Sequence, residues 1–304
     1  MNKILSVTII GLGNIGMLYD YYEKNDRIRL SHLKSFYHSN KFDVINCIDD
    51  SEEKLELAKK KYGDKINYFR AYTSKIKKTD IYVLSCKSEI NKKYFNQISK
   101  VGDVFFLIEK PSWNINDLDN KSIQNKKVYF NYFRKAIPSF TKLKKKFDKN
   151  NFGQIQSINC YYTKGLKNNG SHLIDLIFYF FGSNIINGSI NVTNSLIDYD
   201  SDDETLSFTF KIKHHYDQIL INFIGLDEKK YSIIEIDIMT TLSRISIKDF
   251  GNNIIYENVG EDKLFKGYKK HTNKIKKYTN LSNYGNFLVE HIYKIYYENL
   301  DNDS

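Results

Sequence analysis

Several scarcities narrow the reading at once. Only three cysteines, Cys47, Cys86 and Cys160, stand in 304 residues, far apart and odd in number. That excludes a disulfide framework and a cysteine metal cluster, and it suits a reducing cytoplasm. Only two prolines beside abundant Asn, Ile, Lys and Tyr are a composition bias that decides nothing about function. No apolar run approaches the roughly 20 residues that span a bilayer, so no membrane partner is expected. Lys3 followed by residues 4–10 has the outline of a secretion signal, yet it runs into Gly11 with no small-residue cleavage site and reads better as a buried strand. No repeat of 20 to 50 residues recurs. A net charge of +10 is spread along the chain without a helix-turn-helix or zinc finger, so nucleic acid is not the expected partner.

Hydrophobic residues make up 41% of the chain and aromatic ones 15%, enough for a sizeable core. The length suits about two domains. In the first third, apolar runs at 5–10, 42–48, 81–85 and 104–108 alternate with helical patterns at about 15–22, 51–62 and between the last two runs. Alternation of that kind predicts a parallel sheet of βαβ units. A strand near 128–132 and a helix from 138 to about 147 follow. Strands then dominate, at 155–162, 205–213, 218–224, 232–239, 242–248 and 254–257. Their alternation of apolar and polar residues predicts an antiparallel sheet with one covered face. A helix at 171–181 interrupts them and another, about 286–299, closes the chain. The boundary falls near residue 120, dividing 1–120 from 121–304.

Gly11-Leu12-Gly13-Asn14-Ile15-Gly16 follows a strand and opens a helix. There the first glycine permits a tight turn, the second admits a pyrophosphate to the backbone, and the third lets helix pack on strand. Gly11, Gly13, Asn14, Ile15 and Gly16 are thus candidates for dinucleotide binding, against the plainer reading of a tight turn. An acid should end the second strand to hold ribose hydroxyls. Asp49 is the choice, with Asp50 or Ser51 as helix cap. An acid at this place disfavours a 2′-phosphate, so NAD is expected rather than NADP. The spacing from Gly16 is longer than usual and requires an inserted loop, around residues 26–31.

Glu109-Lys110-Pro111 stands at the carboxyl end of the fourth clear strand, where open parallel sheets bind ligands. Lys110 there is either a cleft ammonium for a substrate oxygen or a solvated lysine. In the nearly all-apolar helix 171–181, His172, Asp175 and Tyr179 share one stripe. A histidine in the first turn can shuttle protons near neutral pH; the alternative is a hydrogen-bonded core residue. Two ligands spaced His-x-x-Asp, with no third evident, make no zinc site, and no metal is expected. The basic segment 263–277 reads as a solvated loop, or as a mobile flap for a diphosphate.

These pieces, in this order, resemble the Gfo/Idh/MocA oxidoreductases, relatives of glucose-fructose oxidoreductase and inositol dehydrogenase. The resemblance covers most of the chain and rests on the glycine loop, Asp49, Glu109-Lys110-Pro111, Asn131-Tyr132-Phe133-Arg134 and Gly170-Ser171-His172-Leu173-Ile174-Asp175. It implies an N-terminal Rossmann domain with a parallel sheet. A C-terminal α+β domain would follow, whose large, mostly antiparallel open sheet commonly forms the face of a homodimer or homotetramer. It implies hydride transfer between NAD(P) and a hydroxyl-bearing carbon of a sugar or nucleotide sugar, of the kind used in surface-polysaccharide synthesis. Lys110, His172 and Asp175 fall on the family's catalytic positions. Ser85 and Glu109 fall on the cofactor side, and Tyr132, Arg134 and Asn168 on the substrate side. Two departures stand out: Asn168 where an aspartate is usual, and Ser85-Cys86-Lys87-Ser88 where the family often has Thr-Pro. The rival reading is a dinucleotide-binding sensor or partner protein without catalysis.

Overall fold

The computed structural model describes residues 3–102, 104–110, 127–214 and 217–301. The boundary expected near residue 120, and Pro111 with it, lie outside the described residues. By contacts the chain divides into two compact units, Met1–Ala136 with Ser282–Ser304, and Ile137–Leu281.

The first unit is built on a six-stranded parallel sheet of order β3-β2-β1-β4-β5-β6. Its strands are β1 Leu5–Ile10, β2 Phe42–Ile48, β3 Asn67–Phe69, β4 Ile81–Leu84, β5 Phe105–Ile108 and β6 Lys127–Phe130. The runs of β4 and β5 are apolar throughout because both faces are covered. Ile81, Val83, Phe105 and Leu107 enter one core with Leu33, Phe36, Leu288 and Ile292. Tyr82, Leu84, Phe106 and Ile108 enter the other with Phe95 and Ile98. The helix Glu52–Tyr62 forms where its caps predict. Ser51 accepts from the Lys54 amide at 3.4 Å, Glu52 and Glu53 occupy the positive end, and Gly63 stops it at φ +81°.

Two features depart from the sequence reading. The closing helix, Tyr284–Asp301, packs on the first sheet through Leu288, Val289 and Ile292. Its apolar stripe reveals that it has a partner, but not which sheet that partner is. The helix expected over 15–22 does not form. After one turn, Met17 N–H to Gly13 O at 2.8 Å, the chain leaves through a 3-10 turn, Leu18–Asp20. Helix resumes at His32–Tyr37, where His32 N–H bonds Ile15 O and Leu33 N–H bonds Gly16 O, both at 2.9 Å. The helix is therefore one element split by an insertion, residues 17–31. Asp20, 1% exposed, closes the loop by accepting from Leu30 N at 2.6 Å, Ser31 N at 3.1 Å and the Ser31 hydroxyl. The fully buried Lys34 gives its ammonium to the carbonyls of Glu23 and Asn25 at 3.0 and 3.1 Å. These internal bonds let a loop interrupt a helix without leaving buried polar groups unpaired. The insertion that the spacing required is thus present, but it begins well before residue 26.

The second unit holds an eight-stranded sheet of order β14-β13-β12-β11-β7-β10-β9-β8. The strands are β7 Ile155–Tyr162, β8 Asn191–Asp200, β9 Asp203–His214, β10 Asp217–Gly225, β11 Ile234–Thr240, β12 Ser243–Lys248, β13 Asn253–Glu261 and β14 Lys269–Tyr278. All neighbours are antiparallel except β7 and β10. One face carries Ile158, Cys160, Phe210, Ile221, Phe223, Ile236, Ile238 and Ile245, all buried. The helices Pro138–Asp148 and Ser171–Phe181 supply Phe140, Phe147 and Phe180 to this unit's core. The other face carries an ion network around Asp237. β8 and β14 are edge strands exposed on both sides, so they lack the apolar alternation that reveals a strand. Residues 269–278, expected as part of a loop or flap, are the paired strand β14.

Candidate functional site

The carboxyl ends of the parallel strands bring five residues into one row. Ile48, Ile10, Leu84, Ile108 and Phe130 are paired neighbours across β2, β1, β4, β5 and β6. The next residue on each strand is Asp49, Gly11, Ser85, Glu109 and Asn131. Backbone bonds extend the ladder by that residue: Gly11 N to Ile48 O, Ser85 N to Ile10 O, Glu109 N to Leu84 O and Asn131 N to Ile108 O, at 2.8 to 2.9 Å. The strand order reverses between β1 and β4, and an open sheet of this kind has its crevice there.

The glycine loop divides its labour as the motif requires. Gly11 is left-handed at φ +94°, and a Cβ there would lie 2.7 Å from Cys86 Sγ and 2.8 Å from the Ser85 carbonyl carbon. A Cβ on Gly16 would lie 2.0 Å from Gly11 O. A Cβ on Gly13 would meet nothing within 4 Å. The outer glycines hold the turn, and the middle one keeps space open over the backbone. The N–H groups of Gly13, Asn14, Ile15 and Gly16 have no acceptor among the described residues. Four free amides at the start of a helical turn have the chemistry of an anion cradle.

Asp49, 8% exposed, braces this loop. Its Oδ2 accepts from Leu12 N at 2.6 Å, and its Oδ1 accepts from Ser51 N at 3.0 Å with Lys54 Nζ 3.3 Å away. The helix cap falls to Ser51. The Ser85 hydroxyl donates to Ile10 O at 2.9 Å and Gly11 O at 2.8 Å, tying β4 to the turn. Beside it, burial and the nearby carboxylates of Asp49 and Asp50 push the Cys86 thiol up to about 12, so it stays protonated at neutral pH.

Glu109 is buried between His32, whose Nε2 is 2.6 Å from Oε1, and Asn131, whose amide donates to the same oxygen. Lys110, half-buried, follows directly. Tyr132 precedes the short turn Phe133–Ala136, in which the Arg134 guanidinium, 5% exposed as a residue, lies 4.9 Å from the Phe133 ring. Phe133 packs on Tyr284 at 4.5 Å between centroids. His32 escaped the sequence reading, and Asn131 entered it only as part of a motif, without a role. The insertion separates His32 from the glycine loop by fifteen residues, so no motif spacing pointed to it.

The second unit places the other group. β7 ends in a reversal, with Lys164 at φ 70° and Gly165 at φ 79°. A π-helical turn, Gly165–Gly170, leads into the helix Ser171–Phe181. Acids from the β8–β9 hairpin hold that turn. Asp203 accepts from Lys167 N at 2.7 Å and Asn168 N at 2.8 Å, and Asp198 accepts from Lys164 N at 2.8 Å. Thr205 accepts from Gly165 N at 2.6 Å and donates to Asp198 at 2.8 Å. A Cβ on Gly165 would lie 2.1 Å from Asp203 Oδ2, so only glycine fits. His172, 7% exposed, occupies the first turn of the helix; Asp175 and Tyr179 continue its stripe, both half-buried. Asp198 and Asp203 were also missed, since a carboxylate in a polar hairpin carries no local sign of its distant partner. Gly11, Ser85, Glu109 and Lys110 thus gather in one unit, and Asn168, His172 and Asp175 in the other.

No protein-family model matches the sequence, and no curated protein matches it significantly. Solved structures do match the fold. The dehydrogenase MviM from Clostridium difficile is 17% identical, with TM-score 0.67 over 99% of this chain and 92% of its own. The WlbA dehydrogenase from Bordetella pertussis, in complex with NADH and UDP-GlcNAcA, is 15% identical, with TM-score 0.62 over 82% and 79%. The 3-ketoreductase KijD10 from Actinomadura kijaniata, in complex with NADP and TDP-benzene, is 9% identical, with TM-score 0.68 over 97% and 90%. The parallel sheet joined to a large, mostly antiparallel one, expected from the Gfo/Idh/MocA resemblance, is the fold this chain has.

Proposed function

We propose that this chain is an NAD(P)-dependent oxidoreductase that moves a hydride between nicotinamide and a hydroxyl-bearing carbon of a sugar or nucleotide sugar. The observation that carries the reading is the anion cradle at Gly13 to Gly16, set at the switch point of the parallel sheet. A diphosphate fits the open space over Gly13, and the bound dinucleotide supplies the hydride acceptor or donor. The carboxylate of Asp49 favours an unphosphorylated ribose, hence NAD over NADP. Two of the similar structures are complexes that contain a nucleoside-diphosphate compound as well as a nicotinamide cofactor, which favours a nucleotide-linked sugar.

The reading assigns the acid–base chemistry to Lys110 and His172, which belong to different units. In the oxidative direction the imidazole of His172 takes the proton of the substrate hydroxyl. The carbon's hydrogen departs as hydride, and the oxygen becomes a carbonyl. The Lys110 ammonium donates to that oxygen and stabilises its developing charge. Asp175 orients the imidazole, while Asn168, Tyr132 and Arg134 bind sugar hydroxyls. A homodimer or homotetramer through the uncovered face of the second sheet, working in the cytoplasm, completes the proposal. The test is native mass spectrometry of the purified protein, followed by turnover with a panel of nucleotide sugars read at the reduced-nicotinamide band. Dinucleotide bound but never turned over would favour a sensor; no dinucleotide binding at all would refute both readings.

A further inference from the structure

The hairpin between β13 and β14 ends in a turn that displays apolar side chains. Leu264 is 79% exposed, Phe265 60% and Tyr268 71%. The turn is built to hold them there. Asp262 Oδ1 accepts from Leu264 N at 2.7 Å and Phe265 N at 3.0 Å, and Asp262 N–H donates to Tyr268 O at 2.8 Å. Lys270 lies 3.1 Å from the other Asp262 oxygen. Behind the tip, residues 263–277 carry seven lysines and one histidine, with no acid among them. Lys146, from the helix Pro138–Asp148, joins Lys277 over the Tyr256 ring, at 4.8 and 5.7 Å. Positive charge thus comes from a second element as well.

Lysines along an edge strand guard against strand pairing, and that alone would account for them. A guard has no use for an outermost Leu, Phe and Tyr. Docking on a second copy through the same patch would set like charges against each other. Apolar groups foremost with amines behind them are the composition of an interfacial anchor. The apolar side chains seat at the headgroup boundary, and the amines meet anionic headgroups. We propose that the β13–β14 hairpin docks the protein peripherally on an anionic phospholipid bilayer, through Leu264 and Phe265 with Lys269, Lys270 and Lys274. The expectation of no membrane partner rested on the absence of a spanning run, which peripheral contact does not need.

The test is co-sedimentation of the full chain with phosphatidylcholine vesicles, with and without phosphatidylglycerol, at physiological and raised salt. Binding is expected only with phosphatidylglycerol, and it should weaken as salt screens the lysines. Leu264→Asp with Phe265→Asp should lower partitioning at least tenfold. Lys269→Gln with Lys270→Gln should lower it about fivefold per lysine. All four sites are exposed, and unchanged circular dichroism and Tm confirm folding. No vesicle binding, equal binding to both vesicle types, or full binding by the tip variant would overturn the proposal. So would a tip variant that turns a dimer into a monomer, or duplex DNA binding that outcompetes the vesicles and ignores the tip variant.

Discussion

His32 and Glu109 form a buried pair, Nε2 to Oε1 2.6 Å, with side chains 2% and 9% exposed. The histidine begins the resumed half of a split helix; the glutamate directly follows β5, one residue before Lys110. The pair therefore fixes the strand end from which the proposed catalytic lysine projects. Truncating His32 leaves the buried Glu109 carboxyl with the Asn131 amide as its remaining partner. His32→Ala should cost about 1–3 kcal/mol of folding stability, measured by urea unfolding. His32→Gln, which keeps a donor, should recover part of it. If the pair acts as a unit, a double-mutant cycle with Glu109→Ala should show coupling of about 0.5–3 kcal/mol; additive losses would deny the link.

The three glycines of the loop should separate in experiment. Gly13→Ala adds a methyl group to open space, so stability should hold within about 1 kcal/mol. The same methyl occupies the room over the anion cradle, and NADH affinity should fall at least tenfold, about 1.4 kcal/mol. Gly11→Ala forces a side chain into left-handed backbone and against Cys86, and should destabilise the fold by at least about 1–3 kcal/mol. Thermal melts beside fluorescence titration with NADH distinguish the two. A Gly13→Ala protein that binds NADH normally would remove the dinucleotide site.

Lys110→Met and His172→Gln should each lower turnover about 100-fold or more while NADH binding stays within a few-fold, as loss of general acid–base assistance would produce. Asp203→Ala acts at a distance. It frees the amides of Lys167 and Asn168 and loosens the π-helical turn that leads to His172. The expected result is a lower kcat with cofactor affinity intact, since the glycine loop belongs to the other unit. Equal loss of cofactor binding in any of these three variants would show general misfolding instead.

Much of this arrangement was legible in the chain, and the limits have physical causes. Strands β1, β2 and β7 stand out because burial on one or two faces writes itself into hydrophobic spacing. β8 and β14 bury neither face and so left no such record. The glycine loop was legible because its chemistry is local. The roles of His32, Asn131, Asp198 and Asp203 were not, because each acts through a partner between 22 and 77 residues away. The split helix shows both sides of this. Its first turn and the excess spacing to Asp49 could be read from the sequence. Its resumption at His32 depends on bonds made by Asp20 and Lys34 across the inserted loop.

The uncovered face of the second sheet gives a pH-dependent prediction. Burial pushes the Asp237 carboxyl up, but the Ser246 hydroxyl and the charges of Lys248 and Arg244 outweigh it, so the net direction is down. Lys248 lies 3.3 Å and Arg244 3.1 Å from Asp237 Oδ2. A carboxylate held below its unfolded value stabilises the fold fully above that value, about 3.9, and loses the contribution as pH falls through the folded one. Asp237→Asn should therefore be less stable than the wild type at neutral pH, and the gap should close below about pH 4. Urea unfolding across pH 3 to 7 reads this directly. Because the network also includes Glu235 and Glu257, the variant keeps a partner for each cation, Lys248 at 2.8 Å and Arg244 at 3.8 Å. The loss should then be confined to the Asp237 contribution, and a gap that widens in acid would contradict the assignment.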